Sequence, residues 1–290
     1  MEPIKISIVS PVHNRKAETL QWLRSLALLD AQGYEIRMVV VDDGSTDGTA
    51  EAVREGFPET EIIIGDGNLW FTGGTNRGIE AALKHDPDYI LTCNNDTIFD
   101  ERSLKTMVNC AIKYPRSIVG PLLLNWDVPH KLFQVSPKWG LRYGGYRHWR
   151  NQTVWTVPGM PWEVDIIVGN CVLMPVAAVK EAGLMDEKRF VHYGDAEYTP
   201  RMRKMGWRLL IEPRARIFCK PNDAPERFRS LSLGKKLKAL FSNTPNAHSI
   251  WRRHYMNIAA GPNYLQGLLA TPIFYIRYLL GRNLEGEWAE

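Results

Sequence analysis

Over the first 125 residues, short apolar runs alternate with stretches whose apolar residues recur at helical spacing. Ile4 to Ser10 is a β-rich run closed by Pro11. Ala17 to Leu29 follows with Leu20, Leu23, Leu26 and Leu28 among its apolar positions, and predicts a helix. Glu35 to Val41 is nearly continuous in its apolar core, as a strand buried on both faces would be. A helix reaching Glu55, a short strand at Glu61 to Ile64, a helix at Gly73 to Lys84 and a strand at Tyr89 to Cys93 come next. A helix at Glu101 to Tyr114 and a strand at Ser117 to Leu124 complete the series. Such alternation predicts an α/β fold with a mostly parallel sheet, helices on both faces, and ligands at the carboxyl ends of the strands. From Asn125 to Glu163 the period is lost and Trp, Tyr, Gly and Pro accumulate; Trp139 to Tyr146 reads as an acceptor-facing insertion or a small antiparallel extension. Val164 to Met174 predicts a strand interrupted at Gly169-Asn170. A short helix at Val176 to Ala182, a polar loop, a helix and a strand at Arg208 to Ile211 follow.

Three strand ends carry polar clusters: Pro11 to Arg15, Asp42 to Asp47, and Asn94 to Asp96. In a parallel sheet they share one edge and can converge on one ligand. Asn94, Asn95 and Asp96 all offer oxygen, which hard divalent cations prefer; a plain polar turn is the blander reading. The glycine-rich stretch Gly65 to Gly78 permits close backbone approach, and a helix start there would favour an anion such as a diphosphate. It lacks the spacing of a P-loop and does not follow the first strand, so a dehydrogenase or P-loop reading is disfavoured.

Composition changes this picture little until the tail. The 290 residues are 44% hydrophobic and 23% charged, ordinary for a globular protein. Cys93, Cys110, Cys171 and Cys219 are scattered without a C-x-x-C pair, so reduced thiols and no zinc site are expected. The residues from Met1 run straight into the first strand, so no signal peptide is expected. The net charge of +4 divides unevenly: from Arg214 to Glu290 twelve Lys/Arg face five Asp/Glu, a net of +7 that leaves −3 for the rest. Ser232 to Phe241 is basic and amphipathic, and Tyr264 to Leu280 is apolar but broken by Pro272 and Arg277. An anionic membrane surface or a second copy of the chain fits such a tail better than nucleic acid or a transmembrane span does; a merely solvated basic face is the alternative.

Six stretches, in this order and at these spacings, resemble the family 2 glycosyltransferases of the GT-A fold. They are Ser10 to Asn14, Val41 to Thr49, Asn68 to Gly78, Leu91 to Asp96, Gly169 to Met174, and Phe190 to Trp207. The resemblance spans residues 4 to 220. It looks closest to the branch that builds bacterial surface polysaccharides such as O-antigen, including rhamnosyl- and galactofuranosyltransferase-like proteins. It implies a Rossmann-like GT-A domain at 1–220, with a nucleotide-binding half at 1–124 and an acceptor half at 125–220, and a helical extension at 221–290. The implied enzyme inverts configuration. Its donor would be a dTDP- or UDP-sugar, its acceptor a hydroxyl of a glycan or polyprenyl-linked glycan, and its place the cytoplasm, at the inner face of the membrane.

By the same resemblance, Pro11 and Asp43 would line the base pocket, Asp43 accepting from a pyrimidine N3–H. Asp42 would be structural, and Ser45 and Asp47 are expected to cap the next helix. Asn14, Arg15, Gly73, Asn76, Asn94, Asn95, Gly169 and Asn170 would contact substrate. Asp96 would bridge Mg²⁺ or Mn²⁺ to the diphosphate; Asn94 replaces the family's first acid there, and Cys219 falls where a histidine ligand often stands. Asp195 would be the catalytic base, taking the proton of the attacking hydroxyl. Glu197 and Arg201 would orient the loop and substrate, or form a helix ion pair at four-residue spacing. His192 is expected to be structural. A nucleotide-sugar binder with a decayed site and a nucleotidyltransferase are the competing classes; retention of Asp96 and Asp195 speaks against the first, and the lack of a basic glycine-rich loop after strand one against the second.

Overall fold

Alternate residues of the central strands enter different cores, as a twofold side-chain period requires. Ile8, Val40, Leu91, Leu173 and Leu210 pack on one face of the sheet, while Val9, Val39, Ile90, Val172 and Leu209 pack on the other. The strands are β1 (Ile4–Val12), β2 (Tyr34–Asp42), β3 (Glu61–Ile64), β4 (Tyr89–Cys93), β5 (Thr97–Phe99), β6 (Ser117–Asn125), β7 (Lys138–Gly140), β8 (Gly145–Arg147), β9 (Trp162–Glu163), β10 (Cys171–Pro175) and β11 (Arg208–Cys219). The helices are α1 (Lys16–Ala27), α2 (Thr49–Gly56), α3 (Trp70–Leu83), α4 (Ser103–Lys113), α5 (Val176–Ala182), α6 (Asp195–Lys204), α7 (Leu233–Phe241), α8 (Ile250–Ala260) and α9 (Tyr264–Leu279). This computed structural model describes residues 2–135, 138–147, 149, 151–220, 231–241 and 249–279.

The main sheet runs β3-β2-β1-β4-β10-β6-β11-β5, with β9 paired to β11. Its first four strands are parallel, β10 is antiparallel to both neighbours, and β5 closes the far edge antiparallel to β11. Trp22, Leu23 and Leu26 of α1 and Leu104, Met107 and Val108 of α4 cover one face. Ile79 of α3, Val179 of α5, and Tyr198 and Met202 of α6 cover the other. The predicted α/β sandwich is therefore the observed one.

Several elements differ from expectation for local reasons. The strand predicted over Val164 to Met174 is paired only from Cys171, because upstream N–H groups find other acceptors: Val164 donates to the Leu209 carbonyl, Ile167 to the Thr199 hydroxyl and Gly169 to the Asp195 carboxylate. Helix α3 begins at Trp70 rather than Gly73, where Asp43 accepts the Trp70 N–H. Strand β11 continues past Ile211 to Cys219 through a register shift between Glu212 and Arg216, and so pairs with β6 along its length. The 139–146 segment is the small antiparallel extension, β7 against β8.

The tail adds a third core. Met256 and Ala260 of α8 pack with Phe190, Ala196 of α6, Ile166 and Tyr146 of β8. No periodicity read from the sequence singled out α8. The end of the Tyr264 to Leu280 apolar stretch, and residues 221–230 and 242–248 of the extension, lie outside the described residues. Among the described residues no helix is long and apolar enough to cross a membrane. All four cysteines are free and buried, in keeping with the expectation of isolated thiols.

Candidate active site

The carboxyl ends of β1 and β2 are joined by side chain to backbone bonds. Asn14, at φ +50°, donates its N–H to the Ser45 hydroxyl and accepts the Thr46 N–H on its side-chain oxygen. Ser45 thus serves Asn14 and not the helix start expected for it; Gly48 precedes α2 with no side-chain cap. Asp47 accepts from Lys16 and Thr49 N–H, tying the starts of α1 and α2 together. Asp42 accepts the Ser45 N–H, the structural role expected of it.

Asp43 is 5% exposed, and its two oxygens accept the N–H groups of Gly67 (2.8 Å) and Trp70 (2.9 Å). Thr72 and Gly73 N–H are bonded to the Val191 and Leu69 carbonyls. The anion site expected at the start of α3 is therefore already filled: a carboxylate of the chain itself satisfies the N–H groups that a diphosphate would seek. Pro11 is half-buried beneath this helix, where a Cβ on Gly74 would lie 2.8 Å from the proline Cβ. Gly73 stands one turn into α3 beside the Glu187 carboxylate. Trp70 itself is at φ +56°, an uncommon backbone for a bulky residue, with half its surface exposed and its ring edge-on to His192 at 4.9 Å. Only a tryptophan amid glycines at a helix start could have signalled it.

Asp96 lies in the tight β4–β5 turn. One carboxylate oxygen takes an ion pair from Arg15 at 2.7 Å; the other is buried without a hydrogen-bond partner, as is the Asn94 side-chain oxygen. Burial raises the Asp96 pKa, opposed by the Arg15 charge. Two buried, unsatisfied oxygens within three residues each cost about 1–3 kcal/mol, and their chemistry suits a hard divalent cation. Among the described residues no three His, Cys, Asp or Glu side chains form a metal cage, so an ion here would need substrate oxygens as well. Asn95 points away: its amide donates to the Thr19 hydroxyl on α1. Cys219 is fully buried opposite Thr97, and burial holds its thiol far above the usual range, so it offers no thiolate.

Gly169 and Asn170 bridge to the second acid. The Asn170 carbonyl accepts the Asn94 N–H at 3.1 Å, and Gly169 N–H donates to Asp195 at 2.9 Å. A Cβ on Gly169 would fall 2.8 Å from the Asp195 Cβ and 3.2 Å from the Phe71 ring, so only glycine allows this approach. Asp195 opens α6, half-buried; burial raises its pKa against the opposing N–H groups of Gly169, Asp195 and Ala196 and the charge of Arg252. His192 is pushed down by burial and by Arg252.

Two expected substrate contacts are occupied within the fold. Asn76 accepts the Met185 N–H and donates to the Met185 carbonyl and Glu187, locking α3 to the loop after α5. Arg201 pairs with Glu197 at 2.8 Å and donates to the Ala182 and Leu184 carbonyls. Glu197 is 6% exposed, and burial raises its pKa against the Arg201 charge, so the four-residue pair is realised, but buried.

A half-parallel sheet whose loops gather Arg15, Asp96, Asn94 and Asp195 at one edge is the architecture of the GT-A glycosyltransferases. A mannosyltransferase of Pyrobaculum calidifontis, solved with GDP-Man and Mn²⁺, overlays with a TM-score of 0.55 at 16% identity, covering 94% of this chain and 70% of that one. The glycosyl transferase family 2 model matches residues 7–161, and the chain belongs to that family. Among curated relatives, the N-acetylglucosaminyl-diphospho-decaprenol L-rhamnosyltransferase of Mycobacterium tuberculosis is 22% identical over 271 residues, 86% of each chain. The galactofuranosyltransferase GlfT1 of the same organism is 27% identical over 190 residues, 63% of this chain and 60% of that one. The protein is a glycosyltransferase.

Proposed function

We propose that this enzyme is an inverting transferase that moves a sugar from a dTDP- or UDP-sugar, rhamnose or galactofuranose, to a hydroxyl of a lipid-linked glycan in cell-envelope polysaccharide synthesis. The observation that carries the reading is the Gly169-Asn170 bridge, which fastens the Asn94–Asp96 turn and the Asp195 carboxylate to the same short segment. Donor diphosphate and acceptor hydroxyl can thereby be held on opposite sides of one anomeric carbon. Asp195 receives the hydroxyl proton as the acceptor oxygen attacks C1; the bond from C1 to the diphosphate breaks, and the diphosphate leaves with the electron pair. Arg15 stands beside Asp96 to meet that charge. Asp96 and the Asn94 oxygen would hold Mg²⁺ or Mn²⁺, which when bound neutralises diphosphate charge. Asp43, fixed by Gly67 and Trp70, retains lone pairs for a pyrimidine N–H, and Asn14 shapes the wall beside it. The relatives' names support the lipid-linked acceptor and the two sugars.

Residues 1–220 form the catalytic domain in this reading, and 221–290 an extension that meets the membrane or a second copy. Leu233, Leu237 and Phe241 of α7 and Leu265, Leu268, Leu269 and Ile276 of α9 are exposed, with Lys235 and Lys238 among them. Apolar and basic surface together suit anionic lipid at the cytoplasmic face. Calorimetry of UDP, dTDP, GDP and CDP, with and without Mn²⁺, tests the donor site. One pyrimidine diphosphate is expected to bind only with metal and to lose at least ~10-fold affinity in Asp96→Ala. Binding indifferent to metal and to Asp96 would overturn the assignment.

A further inference from the structure

We infer that Arg252 on α8 is a positioning residue of the catalytic loop: its buried guanidinium clamps the strained Tyr193 turn that presents Asp195. The inference rests on the reading of Asp195 as the base.

Tyr193 has φ +66°, a left-handed backbone unfavourable for an aromatic residue and kept only when its surroundings hold it. The following Gly194 is packed so closely that a Cβ there would lie 2.7 Å from the Thr72 methyl and 2.9 Å from the Met185 sulfur, so the turn has no space for a side chain at this position. The turn then delivers Asp195 as the first residue of α6. Over the Tyr193 ring, 4.2 Å from its centroid, lies the Arg252 guanidinium, on a residue only 8% exposed. A cation–π seat that is desolvated in this way is at its strongest.

Arg252 is itself held in place. The Ser249 hydroxyl caps α8 by accepting the Arg252 N–H at 3.4 Å, and Met256 and Ala260 pack on Phe190 and Ala196 either side of the turn. Arg253 rests 3.8 Å over the Phe274 ring, fixing α8 to α9. α8 thus buries two adjacent arginines, Arg252 against the loop before Asp195 and Arg253 against α9. Burial lowers the Arg252 pKa to about 10, so it remains charged near neutrality. Its charge opposes the burial that raises Asp195 and adds to the burial that lowers His192. Among the described residues, ionisable neighbours of the loop also include Tyr146 on β8, backed by the Arg203–Asp165 pair, His192 and Tyr193 in the loop itself, and Glu197 on α6, paired to Arg201. Of the charged side chains, the Arg252 guanidinium is the one whose charge favours ionised Asp195.

The test uses the full chain without substrate. Isotope-edited titration of the Asp195 carboxyl, assigned by its loss in Asp195→Asn, is followed in Arg252→Gln and Arg252→Lys. Arg252→Gln is expected to raise the Asp195 pKa by about 1 unit, the direction expected when a neighbouring positive charge is removed. It should also speed amide exchange at residues 192–195 by at least ~10-fold. Arg252→Lys keeps the charge without the planar stack: the pKa stays near wild type and the exchange rate falls between. If Arg252→Gln folds, as its thermal transition reports, and leaves both the titration and the exchange unchanged, the inference is overturned while the base reading stands. Should Asp195→Asn retain turnover, the base reading fails while the clamp stands.

Discussion

Two helices begin at the same sheet edge, and each has a carboxylate at its start. Asp43 reaches the start of α3 from the end of β2, and both its oxygens are occupied by backbone N–H groups of one loop. Asp195 belongs to α6 itself, accepts from Gly169, and is partly buried, with its pKa raised by that burial. A helix N-terminus favours negative charge in both cases. What separates them is how they are held: both Asp43 oxygens take backbone N–H groups of the 65–70 loop, whereas Asp195 takes the Gly169 N–H and has its pKa raised by burial.

Replacing each acid sharpens the contrast, beginning with the largest effect. Asp195→Asn should lower turnover by about 10²–10⁴-fold, read as nucleoside diphosphate release, with nucleotide binding preserved. The same variant should melt at higher temperature. Burial raises the folded pKa of Asp195 above its unfolded value, so the ionised form destabilises the fold above that folded pKa. The cost fades as pH falls through it. The gain in melting temperature should thus be clear at about pH 8 and narrow toward about pH 4.

Asp43→Ala should behave oppositely, losing about 2–3 kcal/mol in chemical denaturation because the Gly67 and Trp70 N–H groups lose their acceptors. Stability unchanged by Asp43→Ala would mean that loop 65–70 is held by other contacts. The smallest effect concerns Trp70, whose left-handed backbone is relaxed by glycine alone. Trp70→Gly should be more stable than Trp70→Ala by about 0.5–1 kcal/mol, since both lose the ring and only one relieves the backbone. Equal stabilities would place the strain elsewhere.

Much of this molecule was readable in its residues, though unevenly. The β1 to β6 half was legible because each strand is a short apolar run and each helix a 3.6-period stripe, local signals set by burial on two faces. The polar strand ends Asn14-Arg15 and Asn94 to Asp96 were legible because parallel strands must end together. The region from 162 to 171 was not: its N–H groups are satisfied by Thr199, Leu209 and Asp195, partners far along the chain that no window of sequence reveals. The resemblance implied Asn76 and Arg201 as substrate contacts, with a Glu197–Arg201 ion pair as the alternative for the second; in the fold Met185, Glu197 and two carbonyls hold them.

By itself, the sequence determined the alternating sheet, which follows from local periodicity, and the family, which six motifs in order resemble; Asp96 and Asp195 were singled out by that resemblance. Tertiary structure alone decided which polar groups remain available. It filled the α3 start with Asp43, left one Asp96 oxygen unbonded, and brought Arg252 from 57 positions downstream of Asp195 to within 4.2 Å of the Tyr193 ring. Hydrogen-bond satisfaction and burial depend on every segment that packs against a group, so they are fixed only once the whole chain has folded.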